Sequence, residues 1–291
     1  MNINVLSNFL AIAREGSMTA AAEVTHMSQS TLSVQMKQLE EELGKKLFRK
    51  QGRFLVLTEE GMLLRKRAEE ILSLVDKTLV EFNEMDGPIG GTVRFGCAET
   101  WLVHHISDIF LRLQSIYPLL QFDITSGNSE QVLEKIEGGL FEFGLLVEEP
   151  NPAFFNSMKL PDFDRYGVLM PESHPLATKE YITFEDLLGE SLIMSKQAME
   201  TDMRKWCGEG VDQLHVSVYY NLFYNGSVFV NTGVGIQVLL EHLMPEAKGM
   251  TFRPLYPQLA CHSYLIWKKY QVFSPIAQIV LEAMKEHLKE A

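Results

Sequence analysis

Residues 19–58 constrain this chain more than any other stretch. Thr19-Ala20-Ala21-Ala22-Glu23-Val24 predicts a helix of small side chains, and Thr25-His26-Met27 breaks it. A second helix is predicted from Ser28, whose hydroxyl can accept from the backbone N–H groups of the first turn. Leu32, Met36, Leu39 and Leu43 recur at helical spacing and are expected to pack inward. Gln29, Ser30, Ser33, Val34 and Lys37 are left on the outer face. The hydroxyls and amide there suit the edges of bases in a major groove. Gly44 stops the helix. Ala20, Ala21 and Ala22 allow the two helices to approach closely, and Val5, Leu6, Phe9, Leu10, Ile12 and Ala13 predict an earlier helix that closes a three-helix core.

Lys45, Lys46, Arg49, Lys50 and Arg53 follow, and Arg53-Phe54-Leu55-Val56-Leu57 after Gln51-Gly52 reads as the second strand of a small hairpin. Cations on such a wing hold phosphates and fix register without reading sequence. A charge run alone would read as a solvated loop. Cap, apolar spacing, polar face, glycine stop and basic wing in this order favour a winged helix-turn-helix. The candidate DNA contacts are Thr19, Ser28, Gln29, Ser30, Ser33, Val34, Lys37, Arg49, Lys50 and Arg53.

The formal net charge of −12 looks wrong for a DNA binder until it is located. Residues 1–58 carry seven Lys or Arg against five Asp or Glu, and the remainder carries nineteen against thirty-three. The acidic bulk should keep DNA on the N-terminal face and argues against a nonspecific polyanion binder. The first residues predict an amphipathic helix and no signal peptide. No apolar run approaches the length of a membrane span. The three cysteines lack metal-ligand spacing. A cytoplasmic location is expected.

The first sixty residues resemble the DNA-binding domain of LysR-type transcriptional regulators. The matching segments are Phe9-Leu10-Ala11-Ile12-Ala13, Gly16-Ser17-Met18-Thr19-Ala20-Ala21-Ala22, Ser28-Gln29-Ser30-Thr31-Leu32-Ser33, Gln38-Leu39-Glu40, Leu43-Gly44, Lys46-Leu47-Phe48-Arg49 and Leu57-Thr58-Glu59-Glu60-Gly61. Many members of the family carry an arginine where this chain has Val34, which implies a missing contact or a different site preference. The resemblance implies double-stranded DNA, further copies of the chain (a dimer or tetramer), a small-molecule effector and RNA polymerase as partners, with no cofactor or metal. Some relatives sense oxidants through cysteines, and nothing in the sequence brings Cys207 and Cys261 together.

Residues 59–87 are expected to form a linker helix. Leu64, Ala68, Ile71, Val75, Phe82 and Met85 make a long stripe, widened by Leu72 and Leu79, that calls for pairing with a second copy. Gly87-Pro88-Ile89-Gly90-Gly91 reads as a hinge. From residue 92 strands and helices alternate, which predicts a mostly parallel sheet. Strands are expected at Thr92–Cys97, around Leu120–Ile124 and at Phe143–Val147, with helices at Trp101–Ser115 and Ser129–Glu137. Residues 92–161 would form one lobe. The proline-bearing stretch Pro150, Pro152, Pro161 separates a second α/β unit at 162–267, with strands Tyr166–Met170, Ser191–Met194, Leu214–Tyr220 and Gly235–Leu239 and helices near Ala198–Cys207 and Phe223–Asn231. Thr251–Leu255 and Ser263–Trp267 read as late strands, and residues 268–291, with a helix at Pro275–Leu288, return to the first lobe. Two such lobes resemble a periplasmic binding protein, the effector domain of the LysR-type family.

Ligands of open α/β sheets sit beyond the carboxyl ends of strands, near helix N-termini. Glu99, Thr100, Ser129, Ser195, Lys196, Thr232 and Gly233 are the candidate effector-binding residues on that rule. Plain helix capping is the competing role for Glu99, Thr100 and Ser129, and Glu99 would repel an acidic effector. An enzyme, or a two-lobed small-molecule-binding protein with an appended DNA module, is the alternative class. Against an enzyme, the chain has no dinucleotide glycine loop, P-loop or nucleophile elbow, and His104-His105 reads as a pair on a helix surface.

Overall fold

The computed structural model describes residues 1–52, 54–84, 89–243 and 248–290, which fall into two units, Met1–Asp86 and Gly87–Ala291. Arg53 of the expected wing, Met85 of the expected stripe, and Gly87 and Pro88 at the start of the expected hinge lie outside the described residues.

In the first unit, α1 (Ile3–Glu15), α2 (Met18–Thr25) and α3 (Gln29–Leu43) precede a hairpin of β1 (Phe48–Gln51) and β2 (Phe54–Leu57), and α4 (Glu59–Glu84) follows. Each boundary has a local cause. Ser17 and Ser28 cap α2 and α3 through their hydroxyls, and Gly16, His26 and Gly44 close α1, α2 and α3 in the left-handed conformation. Leu6, Phe9, Ile12, Ala21, Leu32, Met36, Leu39 and Leu47 form the core. Leu43 was expected to join them but is exposed, because it is the last residue of α3 and lies beyond the reach of α1 and α2.

The α4 stripe divides. Ala68 is buried, and Leu64, Ile71 and Leu72 pack on the core of the same unit, so this half of the expected pairing seam faces its own domain. The helix α4 leaves Met62, Leu63, Leu74, Leu79 and Phe82 exposed. No helix among the described residues is long and apolar enough to cross a membrane.

The second unit comprises β3 (Gly91–Cys97), a 3₁₀ turn Trp101–Val103 running into α5 (His104–Gln114), β4 (Leu120–Ser126), α6 (Ser129–Glu137), β5 (Phe143–Leu146) and β6 (Phe155–Pro171). After a 3₁₀ turn at Pro175–Thr178 come α7 (Phe184–Leu187), β7 (Leu192–Ser195), α8 (Lys196–Ala198), a π-helical turn Met199–Met203, α9 (Arg204–Cys207), a 3₁₀ stretch Gly208–Gln213, β8 (Val216–Tyr220) and α10 (Phe223–Asn231). β9 (Ile236–Leu240), β10 (Met250–Pro254), β11 (Ala260–Lys268) and α11 (Pro275–Glu290) complete the chain. The helix expected at Ala198–Cys207 thus starts two residues earlier and contains a π turn.

The sheet runs β4-β3-β5-β11-β6-β9-β7-β8, with β10 added to β6. It is mixed: β3 pairs parallel with β4 and β5, and β7 with β8 and β9, while β11 and β6 run antiparallel to their neighbours. The stretch expected to separate the lobes is in fact the strand that joins them. β6 pairs with β11 from Phe155 onward and with β9 and β10 from Tyr166 and Gly167. Pro161 is tolerated because the register with β11 slips there: Tyr264 faces Lys159 and His262 faces Phe163, which leaves Pro161 without a ladder partner.

One core lies under β3, α5 and α11, with Phe95, Ile106, Ile109, Phe143, Ala277, Val280 and Met284. A second lies in the other lobe, with Val168, Met170, Leu192, Met194, Met203, Ile236 and Val238.

Candidate DNA-reading surface and interlobe cleft

The exposed face of α3 follows from what its other face buries. Leu32, Met36 and Leu39 point into the core, so Gln29, Ser30, Ser33, Val34 and Lys37 point out and are all exposed, as is Thr19 on α2. Ser28 is exposed too, but its hydroxyl is engaged: it accepts from Thr31 N at 3.1 Å and contacts the Ser30 and Thr31 hydroxyls at 2.8 and 2.7 Å. Its place is that of a cap that fixes where α3 starts. Behind the face, Asn8 Nδ2 donates to Gln35 Oε1 at 2.8 Å and ties α1 to α3. Thr31 is an exposed hydroxyl of the first turn that the apolar spacing alone did not single out.

The wing cations differ among themselves. Lys46 Nζ lies 2.6 Å from Glu40, and Lys45 lies 3.9 Å from Glu60. Burial pushes the Glu40 carboxyl up, but Lys46 and the Leu47 N–H outweigh it and hold the carboxyl below its usual range. These two lysines are therefore partly spent inside the fold. Arg49 and Lys50 are exposed on β1, with no ion pair among the described residues. The hairpin is held by Leu55 N donating to Gly16 O at 2.8 Å, which anchors the wing to the turn between α1 and α2.

In the second unit a cavity of about 340 Å³ opens between the lobes. Glu99, Ser195 and Lys196 line it, with Tyr166, Asp202 and Tyr220. Two hydrogen-bonded bridges cross it. Glu99 Oε2, after β3, accepts from Phe223 N, the first residue of α10, at 2.6 Å. Gln197 Nε2 donates to Ser129 Oγ at 2.8 Å. Glu99 thus occupies the N-terminal pole of α10, where a bound anion would otherwise be favoured. Its carboxyl is raised by burial, and the Phe223 N–H offsets part of that. Tyr166 donates to Asp202 Oδ2 at 2.9 Å, and Tyr220 to Val238 O at 3.0 Å. Burial lifts the Tyr220 hydroxyl to about 12, so it stays a donor at neutral pH. Lys196 is exposed and sits 3.8 Å from Glu200.

The remaining candidates lie elsewhere. Thr100 is buried and donates to Asp164, and its Oγ accepts from Leu102 N. Ser129 is buried under Gln197 and reaches the cleft only through it. Thr232 and Gly233 are exposed and do not line the cavity. The reason is polarity: α10 offers its N-terminus to the cleft, and these residues follow its C-terminus, about 14 Å away at 1.5 Å per residue. Tyr166, Asp202 and Tyr220 escaped the sequence reading: strand position marks the two tyrosines as core, and Asp202 in the π-helical turn reads as an ordinary helix acid, with no sign of a cavity beside them.

The three cysteines are free, and burial raises each thiol above its ordinary value. Such thiols carry little thiolate, the reactive form. The expectation that His104 and His105 form a surface pair fails for His105, which is only 4 % exposed, because α11 covers that side of α5.

Comparison with known proteins matches both units. Residues 3–62 fit the model of the bacterial regulatory helix-turn-helix proteins of the lysR family, and residues 86–289 fit the LysR substrate binding domain. The HTH-type transcriptional activator CmpR of Synechocystis is 28 % identical over 96 % of this chain and 93 % of its own. The uncharacterized HTH-type transcriptional regulator YybE of Bacillus subtilis is 27 % identical over 98 % of both. Full-length CbnR complexed with its target DNA superimposes with a TM-score of 0.77 at 16 % identity, over 100 % of this chain and 99 % of that one. A capped helix-turn-helix with an exposed polar face, a basic wing and a two-lobed α/β domain around a cleft place this chain in the LysR family of DNA-binding transcriptional regulators.

Proposed function

We propose that α3 reads base edges in the major groove through Gln29, Ser30, Ser33 and Val34, while Arg49 and Lys50 hold phosphates and set the register. The observation that carries this is the outward exposure of that face on a helix whose opposite face buries Leu32, Met36 and Leu39. Val34, at 55 % exposure, replaces an expected cation with methyl groups suited to thymine. Exposed Leu74, Leu79 and Phe82 on α4 supply an apolar seam for a second copy, and dimers or tetramers would place paired helices on an interrupted palindrome. A small molecule entering the cleft competes with the Glu99–Phe223 and Gln197–Ser129 bridges, changes lobe closure and thereby biases DNA bending and access of RNA polymerase. The chain acts in the cytoplasm as a regulator and not as a catalyst.

The test is a comparison of operator and random DNA. Gln29→Ala with Ser33→Ala should reduce operator affinity by about 1–3 kcal/mol per lost base contact and leave random-DNA affinity nearly unchanged. Equal losses on both DNAs would refute base reading by this face.

The cleft carries two carboxylates, Glu99 and Asp202, and one exposed cation, Lys196, beside Glu200. That balance favours an uncharged or cationic effector. A thermal-shift panel on the full chain should find stabilising amines or neutral polar metabolites. Stabilisation by carboxylates or phosphates alone would reverse this assignment.

A further inference from the structure

We infer that His104, His105 and Asp162 form a site for a divalent transition-metal ion of the zinc, nickel or cobalt type, between α5 of lobe one and β6 and apart from the residues that line the cleft. Their ligating atoms lie within 4.8 Å of one another. His105 Nε2 stands 3.3 Å from Asp162 Oδ2. That separation is the ligand–ligand edge of a tetrahedron with bonds of about 2.0–2.1 Å.

His105 is only 4 % exposed, and its Nε2 finds a single neighbour, Asp162 Oδ2 at 3.3 Å, too poorly aligned for a well-formed hydrogen bond. A buried nitrogen with so weak a partner calls for an explanation, and a metal ion held between the imidazole and the carboxylate supplies one.

The far side of each ring supports the same reading. His104 Nδ1 lies 3.0 Å from Trp101 O, a carbonyl that can only accept, so this nitrogen carries the proton and Nε2 is left with its lone pair. His105 Nδ1 lies 3.0 Å from His287 Nε2, and with the His105 proton on Nδ1, His287 accepts it and His105 Nε2 keeps its lone pair for the ion. Hydrogen bonds to the opposite ring nitrogen are what orient metal-binding histidines. Two imidazoles and one carboxylate select zinc-like ions over magnesium or calcium and leave a fourth position for water. His104, in the first turn of α5, and the exposed Asp162 side chain can rotate to close the wider edges to about 3.4 Å.

The ion would fasten α5 to β6, the strand common to both lobes, with α11 contributing His287 behind it. The sequence hides the site because Asp162 and His287 lie far along the chain from the histidine pair.

The test is titration of the untagged full-length chain with cobalt(II), read by visible absorption, followed by zinc(II) displacement. One equivalent should bind with the intense ligand-field bands of a tetrahedral N/O site, and zinc should abolish them. His104→Ala and Asp162→Asn, both at accessible positions, should each weaken binding tenfold or more, with circular dichroism unchanged. His287→Gln, behind the site, should weaken it about 10–100-fold. A spectrum of hydrated six-coordinate cobalt, binding unaffected by the two accessible substitutions, or no saturable binding would each overturn the assignment.

Discussion

Replacing Arg49 and Lys50 together with alanine will weaken binding to operator and to random DNA by the same factor. Both side chains are exposed on β1 and have no ion pair among the described residues, so their charges are available to phosphates. Each phosphate contact contributes about 0.9 to the slope of log affinity against log salt. The double substitution should therefore flatten that slope by about 1.8 for each bound wing. At 0.1 M salt this is roughly one order of magnitude of affinity per lost contact. Lys46→Ala is the internal control. Its ammonium is already held by Glu40, so its loss should flatten the slope less. Filter binding or fluorescence anisotropy across a salt series decides the matter. An unchanged slope, or a loss confined to operator DNA, would show that the wing does not hold phosphates.

Gly61→Ala will disrupt the base of that wing. Gly61 is buried in the first turn of α4, and a methyl group there would stand 2.1 Å from the Leu47 carbonyl oxygen and 3.0 Å from Leu57 Cδ2. The Leu47 carbonyl cannot swing aside freely, because it accepts from Thr58 N at 3.0 Å and belongs to a residue buried to 1 % exposure. Alanine within a helix gains about 1 kcal/mol over glycine. Overpacking against backbone costs about 1–3 kcal/mol or more, so the clash wins. Hydrogen-exchange mass spectrometry should show faster exchange in β1, β2 and the start of α4, no change in β3 through β9, and DNA affinity should fall at least tenfold. Unaltered exchange in the hairpin would sink the prediction.

What the sequence revealed depended on how local each determinant was. The predicted ends of α6 and α10 coincide with the observed ones. In α6 the Asn128 cap box and Gly138 lie within the segment itself. The outward face of α3 was legible for the same reason: the period of Leu32, Met36 and Leu39 defines its opposite. Glu99, Ser195 and Lys196 could be found from the rule that ligands gather past strand ends. Thr232 and Gly233 misled, because the rule names a helix N-terminus and they follow a C-terminus. The first part of β6 was missed, the strand being expected only over Tyr166–Met170: Pro161 is a breaker in local terms, and the slip against β11 that accommodates it is set by residues about a hundred positions later. Tyr166 and Asp202 were invisible as cleft residues because their neighbourhood is assembled from both lobes.

The continuity of β6 limits how the α/β unit can respond to an effector. A single polypeptide ribbon threaded through both lobes resists sliding of one against the other, since that would shear two hydrogen-bonded ladders at once. Twisting about its own axis is far softer, above all near Pro161, where the ladder already has a gap. Any signal leaving the cleft should therefore travel as a torsion of this ribbon, and stiffening it around residues 160–165 should quieten the regulator without touching either its ligand or its operator.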